Sequence, residues 1–277
     1  MKPGLKARVL TAVIGIPIII LILIAPAWVM LIAVILCSLA GLYEFYSAVG
    51  LIKKTRLLAL FGFLGGAVVP LCHMMPPREI FTCAFLFLFI LFLVMLGSHR
   101  RVLITDISML IMGLIYVPFL LSNILYTKQL EYGDFIVWLI FVGAFVTDSC
   151  AFFAGKAFGR HKLCPNISPK KTVEGAIGGI VGCGLAFLLF ALIVNTFFKP
   201  YLGGASMNYG SMFVLGLLSS FAAQVGDLTA SLIKRQFGIK DFGSLFPGHG
   251  GMLDRCDSIV LVAPTVFLFA AQFSLFI

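Results

Sequence analysis

Two aspartates lie where a carboxylate is costly. Of the eleven acidic residues, we place Asp148 and Asp227 well inside apolar runs. An ionised acid in such a run costs several kcal/mol unless it is paired or metal-bound, so both residues are functional candidates. Counted from the expected helix ends, they lie about 15 Å and about 12 Å below one membrane face, at a rise of 1.5 Å per residue. A structural ion pair between helices is the alternative for each.

The stretch from 231 to 257 combines acids, bases and glycines. Its five glycines and one proline require part of it to turn tightly. At its end, the i, i+3 spacing of Asp254 and Asp257 puts both carboxylates on one face of a helix start. Two hard oxygen ligands among basic residues suit a Mg²⁺ ion that also binds phosphates. The basic residues are Lys234, Arg235, Lys240, His249 and Arg255. Helix capping is the alternative for the aspartates, and a structural hydrogen bond is the alternative for His249.

A second basic segment precedes the apolar run that begins near residue 173. Ser168 followed by Pro169 is typical of a helix N-cap and its first position, so the sequence predicts a helix that starts there. Lys170 and Lys171 would then lie at a helix N-terminus, which is a ready anion site. The alternative is that these lysines only mark the cytoplasmic side of a membrane.

The composition excludes several classes of protein. Of the 277 residues, 61% are apolar and 11% are charged, whereas ordinary soluble domains are about 45–50% apolar and about 25% charged. This excludes a soluble enzyme and a disordered chain. The net charge of +9 falls in short clusters between apolar runs, which indicates membrane topology and no nucleic-acid partner. The seven cysteines are odd in number and lack a CxxC pair, so we expect neither disulfides nor a zinc site.

The sequence predicts an all-α polytopic membrane protein with nine transmembrane helices, because about 20 apolar residues cross roughly 30 Å of hydrocarbon. Alternate sides of this arrangement carry 17 and 3 of the 20 Lys and Arg residues, which puts the N-terminus in the cytoplasm and the C-terminus outside. The first segment is longer than a cleavable signal's apolar core of about 7–15 residues, so we expect it to be retained. The segments are about 9–25, 27–49, 57–75, 79–98, 103–126, 134–158, 173–197, 210–235 and 256–276.

We divide the chain into two membrane regions. A five-helix region covers 1–133, and a four-helix region over 134–277 carries the chemistry, with cytoplasmic loops at 159–172 and 236–255. In the seventh segment, the pairs Gly175 with Gly179 and Gly178 with Gly182 have the spacing that lets membrane helices approach closely. The sequence contains no GxxxxGK[ST], GxSxG or HExxH motif.

The run from 231 to 257 resembles the signature of the phosphatidate cytidylyltransferases (CDP-diacylglycerol synthases) of the bacterial type. The pattern is S-x-x-K-R-x4-K-D-x-G followed by P-x-H-G-G-x-x-D-R-x-D. Cys256 stands where a larger apolar residue or Thr is usual, which changes nothing chemical. The segments 168–175 and 224–227 also look like family motifs, and the first five apolar segments match only in hydropathy. The matching signature residues are Ser231, Lys234, Arg235, Lys240, Asp241, Gly243, Pro247, His249, Gly250, Gly251, Asp254, Arg255 and Asp257.

The resemblance implies transfer of CMP from CTP to phosphatidate, giving CDP-diacylglycerol and pyrophosphate. It implies a homodimeric, multi-pass enzyme of the cell inner membrane whose site faces the cytosol. Asp227, Asp254 and Asp257 would form its catalytic Mg²⁺ centre, with Asp148 a further candidate ligand and K⁺ a candidate second ion. Substrate phosphate would be bound by Lys170, Lys171, Lys234, Arg235, Lys240, His249 and Arg255. Support for the nucleotide or the loop would come from Ser168, Ser231, Asp241, Gly250 and Gly251.

This reaction needs little acid–base machinery. A lipid phosphomonoester has a second pKa near 6 and is about doubly charged at neutral pH, so the main task is to position and neutralise two polyanions. Another CTP-dependent lipid enzyme, a prenol kinase or a CDP-archaeol-type synthase, is the nearest alternative. An ion-coupled transporter would explain Asp148 and Asp227 but would not need the basic glycine-rich run. The DGxxAR…GxxxDxxxD pattern of the CDP-alcohol phosphotransferases is absent.

Overall fold

The computed structural model describes residues 3–245 and 250–277, with side chains described from residue 13 onward. Within these ranges the chain is mainly helical. The helices are α1 (Pro3–Ile24), α2 (Ala27–Ala48), α3 (Leu51–Lys54), α4 (Arg56–Val68), α5 (Pro77–Gly97), α6 (Ile104–Leu114), α7 (Leu120–Lys128), α8 (Gly133–Phe158), α9 (Val173–Ile193), α10 (Tyr209–Gln236), α11 (Leu253–Cys256) and α12 (Ile259–Gln272). An antiparallel hairpin of β1 (Lys162–Cys164) and β2 (Ser168–Thr172) separates α8 from α9.

Among the residues that the structure describes, seven helical stretches are long and apolar enough to cross a membrane, which confirms the second to eighth predicted segments as helices. Three of them continue through irregular turns, and one such turn, Ile115–Phe119, contains Pro118, which has no N–H to give to the helix. The stretches are Ala27–Ala48, Arg56–Met74, Pro77–Gly97, Ile104–Lys128, Gly133–Phe158, Val173–Leu202 and Tyr209–Gln236.

The first and last predicted spans differ from these seven. Their apolar helical parts are the shorter stretches Val13–Ile24 and Ile259–Gln272. At 1.5 Å per residue the latter is about 21 Å long, less than the roughly 30 Å of a hydrocarbon core. Directly after it Phe273 has an extended conformation, and Met207 forms an antiparallel bridge with Phe276. The predicted count of nine and the orientation of the termini stay predictions.

The chain forms two compact units. Unit 1 contains residues 1–125 and 239–255, and unit 2 contains residues 126–238 and 256–277. Both are therefore discontinuous in sequence, and most of the stretch between α10 and α11 folds with the N-terminal helices.

Unit 1 is built around α2, which packs on α4 and α6. Tyr46 of α2 is fully buried and donates a hydrogen bond from its hydroxyl to the carbonyl of Leu110 (3.0 Å). Gly62 and Gly113 make room for this ring, because a Cβ at either position would overlap it. On the same unit Lys54 pairs with the buried Asp106 at 2.8 Å.

Unit 2 packs α8, α9, α10 and α12 together. The small residues of α9 predicted to allow close approach do so against α8. A Cβ at Gly178 would overlap that of Ala154, and one at Gly182 would overlap Cys150. Close contact through small residues is how helices associate in lipid, so this prediction is confirmed. The close contact holds α8, which carries Asp148, against α9.

The predicted helix start at Ser168 and Pro169 is wrong. Residues Ser168–Thr172 form β2, which pairs with β1 in a register that sets Lys162 opposite Thr172. The helix begins at Val173, and Thr172 is its N-cap, with a side-chain oxygen that accepts the N–H of Gly175 at 3.2 Å. Strand pairing with residues before the turn outweighs the local preference of Ser-Pro for a helix start, so Lys170 and Lys171 lie on a strand.

Candidate active site

Asp227 and Lys171 form an ion pair in unit 2. Their Oδ2 and Nζ atoms are 2.6 Å apart, and each side chain is about a quarter exposed. Ser231, one turn later on α10, donates a longer hydrogen bond to Oδ1 of Asp227 (3.5 Å). Asp227 lies nine residues before the end of α10, which is about 14 Å along the helix axis. Asp227, one of the two acids in apolar runs, is thus compensated by a lysine of β2.

Asp257 and Asp148 meet at Ser258. The Ser258 hydroxyl donates to Oδ2 of Asp148 (3.3 Å), and the Ser258 N–H donates to Oδ1 of Asp257 (2.9 Å). The backbone at Asp257 lies directly on α10, because a Cβ at Gly226 would overlap its carbonyl oxygen. Gly226 precedes Asp227, so these contacts bring the start of α12, the middle of α8 and the middle of α10 together.

The charges of this region interact. Asp227, Asp148 and Lys234 are the charged neighbours of the Asp257 carboxylate. The cluster therefore contains three acids and two lysines, Lys171 and Lys234. Among the residues that the structure describes, no group of three or more His, Cys, Asp or Glu side chains is arranged as a ready-made metal site. The three carboxylates nevertheless supply the hard oxygen donors that Mg²⁺ prefers.

Side chains of α9 and α10 fasten the hairpin. The Glu174 carboxylate accepts the N–H groups of Arg160 and His161, and contacts the His161 ring at 2.7 Å. Arg235 of α10 donates from Nε to the carbonyl of Ile167 in the hairpin turn (3.4 Å). Lys170 is exposed on β2 beside the half-buried Lys171. Of the two predicted phosphate ligands on this strand, the structure brings Lys171 to the acids.

Asp254 has a different environment in unit 1. It is buried, and its Oδ2 accepts the N–H groups of Phe242 (2.8 Å) and Gly251 (3.0 Å). Gly250 beside it has a φ of +85°, a conformation that glycine adopts at little cost. In this unit Asp254 holds two backbone turns.

The remaining predicted residues are dispersed over the same unit. Lys240, Asp241 and Arg255 are exposed. Their predicted roles toward phosphate and nucleotide stay predictions. His249 lies outside the described residues.

Two residues of these arrangements were not anticipated from the sequence. Ser258 joins Asp148 to Asp257. The only feature of the sequence that points to it is its position next to Asp257, an aspartate of the signature. Glu44 of α2 is a buried acid, 5% exposed, that accepts the N–H groups of Met252 and Leu253. Its signal is an acid inside the second apolar segment, between Tyr43 and Phe45.

A cluster of this kind suits transfer between phosphates. Unit 2 offers carboxylates for a cation and lysines for phosphate oxygens, and Lys–phosphate contacts are strong charge-assisted hydrogen bonds. None of the contacts described above joins a serine or cysteine to a histidine base, as a reaction dominated by positioning and charge neutralisation permits.

Comparison with known proteins gives one consistent result. Phosphatidate cytidylyltransferase of Rickettsia prowazekii (strain Madrid E) is 37% identical over 186 residues, which cover 67% of this chain and 80% of that protein. The enzyme of the same name from Brucella suis biovar 1 is 41% identical over 163 residues, 58% of this chain and 57% of its own. The family model described as "Cytidylyltransferase family" matches residues 6–273. A match of this extent, carried by a chain whose acids and lysines converge within one helical unit, places the protein in the cytidylyltransferase family.

Proposed function

We propose that this chain is an integral-membrane nucleotidyltransferase that transfers CMP from CTP to phosphatidate and releases pyrophosphate. The observation that carries the proposal is the cluster of Asp148, Asp227, Asp257, Lys171 and Lys234 in unit 2. The family membership and the names of its relatives support the same reaction. The product is CDP-diacylglycerol, a precursor for phospholipid synthesis.

In this reaction the lysines bind and orient the anionic groups. Lys171 and Lys234 bring positive charge to the side of the acids, where two negatively charged substrates would otherwise repel each other. The attacking group is a phosphate oxygen of phosphatidate, which is mostly dianionic at neutral pH because its second pKa is about 6. No side chain therefore needs to remove a proton, and the chain contributes by holding the two substrates in line.

We propose that Asp227 and Asp257, with Asp148, hold Mg²⁺. Their carboxylate oxygens fit this ion in kind and charge. Bound there, Mg²⁺ supplies charge neutralisation on the transferred phosphoryl group and on the leaving pyrophosphate. The role predicted for Asp254 in the same centre, and K⁺ as a second ion, also belong to this proposal. Exchange of K⁺ for choline at constant Mg²⁺ tests the second ion.

The proposal includes a setting for the enzyme. It lies in the cell inner membrane with nine spans, its site open to cytosolic CTP and laterally to lipid. Acids about 14–15 Å from the helix ends at 1.5 Å per residue satisfy both needs. We also propose a homodimer, which the mass of the detergent-solubilised protein tests.

The test uses the full chain in vesicles with CTP, phosphatidate and Mg²⁺. We expect pyrophosphate and CDP-diacylglycerol in equal amounts, formed only when both substrates are present. Pyrophosphate release without phosphatidate would contradict the proposal, as would its absence in the complete mixture.

The same assay separates the alternatives. A prenol in place of phosphatidate with release of CDP would indicate a prenol kinase, and an archaeal-type ether lipid that reacts better than phosphatidate would indicate the CDP-archaeol type. Ion uptake by sealed vesicles without nucleotide turnover would indicate a transporter.

A further inference from the structure

Glu44 is a buried carboxylate whose partners are backbone N–H groups. Met252 donates to Oε1 at 2.8 Å and Leu253 donates to Oε2 at 2.9 Å. The two donors are consecutive and lie at the start of α11. Both oxygens of one side chain on α2 thus bind the backbone more than 200 residues later in the chain.

Two glycines of the signature fit around the same carboxylate. A Cβ at Gly243 would overlap Oε1 of Glu44, and a Cβ at Gly251 would overlap both oxygens. Neither glycine has a positive φ. Their backbone conformations are therefore open to any residue, and only the space occupied by Glu44 requires glycine.

Asp254 adds further hydrogen bonds to the same two turns. Its Oδ2 accepts the N–H groups of Phe242 and Gly251, so it ties the two glycine-containing turns to each other, while Glu44 ties the second of them to α2. We name residues 242–243 and 250–254 the anchored segment. Buried carboxylates that accept several backbone N–H bonds fix a backbone firmly, because each lost partner leaves a buried polar group unpaired.

We propose that Glu44 is a positioning residue: it holds the anchored segment in the single conformation that presents the signature side chains to substrate. This inference rests on the proposed function for its catalytic consequence, since Lys240, Asp241, Asp254 and Arg255 lie in or beside the segment. Its structural core, the dependence of Gly243 and Gly251 on Glu44, does not rest on that function.

A double-mutant cycle tests the structural core in the full chain purified in detergent. We expect Gly251→Ala to lower the unfolding midpoint by several degrees, because the new methyl meets the Glu44 carboxylate. In a Glu44→Ala background the same glycine change should cost much less, since the space is then empty. Gly243→Ala should behave in the same way.

Gly178→Ala in unit 2 is the matched control. Its cost comes from the overlap of the new Cβ with that of Ala154 and does not depend on Glu44, so it should be the same in both backgrounds. Costs for Gly243 and Gly251 that add to that of Glu44→Ala, as the cost for Gly178 does, would overturn the inference.

Hydrogen exchange provides a measurement that needs no truncation of Glu44. In Glu44→Gln the side chain keeps its size, but one oxygen becomes an NH₂ group that faces a backbone donor. Amides in 251–254 should exchange about tenfold faster or more, while those at the start of α9 stay unchanged. Unchanged exchange in 251–254 would contradict the anchoring role.

Turnover separates positioning from simple stabilisation. Tyr46→Phe is the control, because it removes a buried hydrogen bond from the same helix without touching the anchored segment. With CTP and phosphatidate, well below both unfolding midpoints, Glu44→Gln should lower kcat about tenfold or more, and Tyr46→Phe should leave it nearly unchanged. Equal turnover in both variants would reduce Glu44 to a stabilising residue. If the wild type lacked this activity, the proposed function would fail, and the mutant cycle and hydrogen exchange would still decide on Glu44.

Discussion

The pairing of Asp227 with Lys171 has a consequence for any ligand of this site. A cation that binds Asp227 competes with the Lys171 ammonium, and a phosphate that binds Lys171 competes with the Asp227 carboxylate at 2.6 Å. A metal-bound phosphate brings a cation for Asp227 and an anion for Lys171 at the same time. Each side chain then exchanges its partner for a group of the same charge sign. Under the proposed function, the ion pair therefore favours a metal–triphosphate complex over either component alone.

We predict that Asp227→Asn lowers turnover by about two orders of magnitude or more while the protein stays folded, because the amide keeps the shape and removes the charge at the proposed metal site. Raised Mg²⁺ should restore part of the activity if weaker binding is the cause. Turnover of CTP and phosphatidate and the unfolding midpoint are the measurements. Asp134→Asn is the control, since Asp134 is 76% exposed and pairs with Lys128 away from the cluster. Near-normal turnover of Asp227→Asn at ordinary Mg²⁺ would exclude Asp227 as a metal ligand.

We predict that Lys171→Gln raises the KM for one substrate about tenfold or more, since it removes a charge-assisted contact to phosphate. The unfolding midpoint should change little, because both side chains of the Lys171–Asp227 pair are partly exposed. Lys162→Gln is the control from the same hairpin: it removes one exposed positive charge from β1. Equal kinetics for the two variants would show that Lys171 contributes only to membrane topology.

The individual acids show what sequence can and cannot reveal. Asp148 and Asp227 stand out in the sequence because an ionised acid in the middle of an apolar run costs several kcal/mol unless it is paired or metal-bound. Glu44 also lies in an apolar run but close to its end, between aromatic residues, where an acid can reach the membrane surface. Its partners at Met252 and Leu253 are distant in sequence, and no local pattern predicts a contact with backbone N–H groups.

At the scale of elements, the close packing of α8 and α9 positions the site. Asp148 lies on α8, and Lys171 lies one residue before the N-cap of α9. Small residues at the contact keep these elements at a fixed separation, so a bulky residue there would move Asp148 relative to Lys171 and Asp227.

We predict that Gly178→Leu destabilises the protein by about 1–3 kcal/mol, a typical cost of overpacking, because even a Cβ at this position would overlap Ala154. It should also reduce turnover by displacing α8. Gly15→Leu in α1 is the control, since nothing lies within 4 Å of a Cβ there. Thermal unfolding of the purified proteins is the measurement, and equal midpoints for the two variants would contradict the packing.

Helices were easier to predict than the hairpin. Sustained apolar runs in a membrane protein form spanning helices. Accordingly, α2, α5 and α8 begin and end within about two residues of the predicted bounds. The strand at Ser168–Thr172 depends on pairing with Lys162–Cys164, a non-local interaction that the Ser-Pro pattern does not encode. The positive charges were thus located correctly in sequence but assigned to the wrong element.

At the scale of the whole molecule, the charge distribution makes a prediction about topology. Because alternate sides carry 17 and 3 of the Lys and Arg residues, reporter fusions at residues 52 and 130 should lie on opposite sides of the membrane, with residue 52 cytoplasmic. Reporters with distinct activity on each side give the measurement. Readings on the same side would overturn the predicted orientation.

The hydrogen bonds from the N–H groups of residues 252 and 253 to Glu44 also determine when unit 1 can complete its fold during biosynthesis. The two partners are separated by 208 and 209 positions in the chain, and a ribosome adds about 5–20 residues per second. Glu44 is therefore added to the chain about 10–40 s before its partners. During that interval the Glu44 carboxylate lacks the two backbone N–H groups that donate to it in the complete chain, so unit 1 reaches its final state only near the end of translation. Insertion of the early helices and completion of their fold are separate events in time, and a nascent chain stalled before residue 252 would hold α2 in a state that the mature protein never shows.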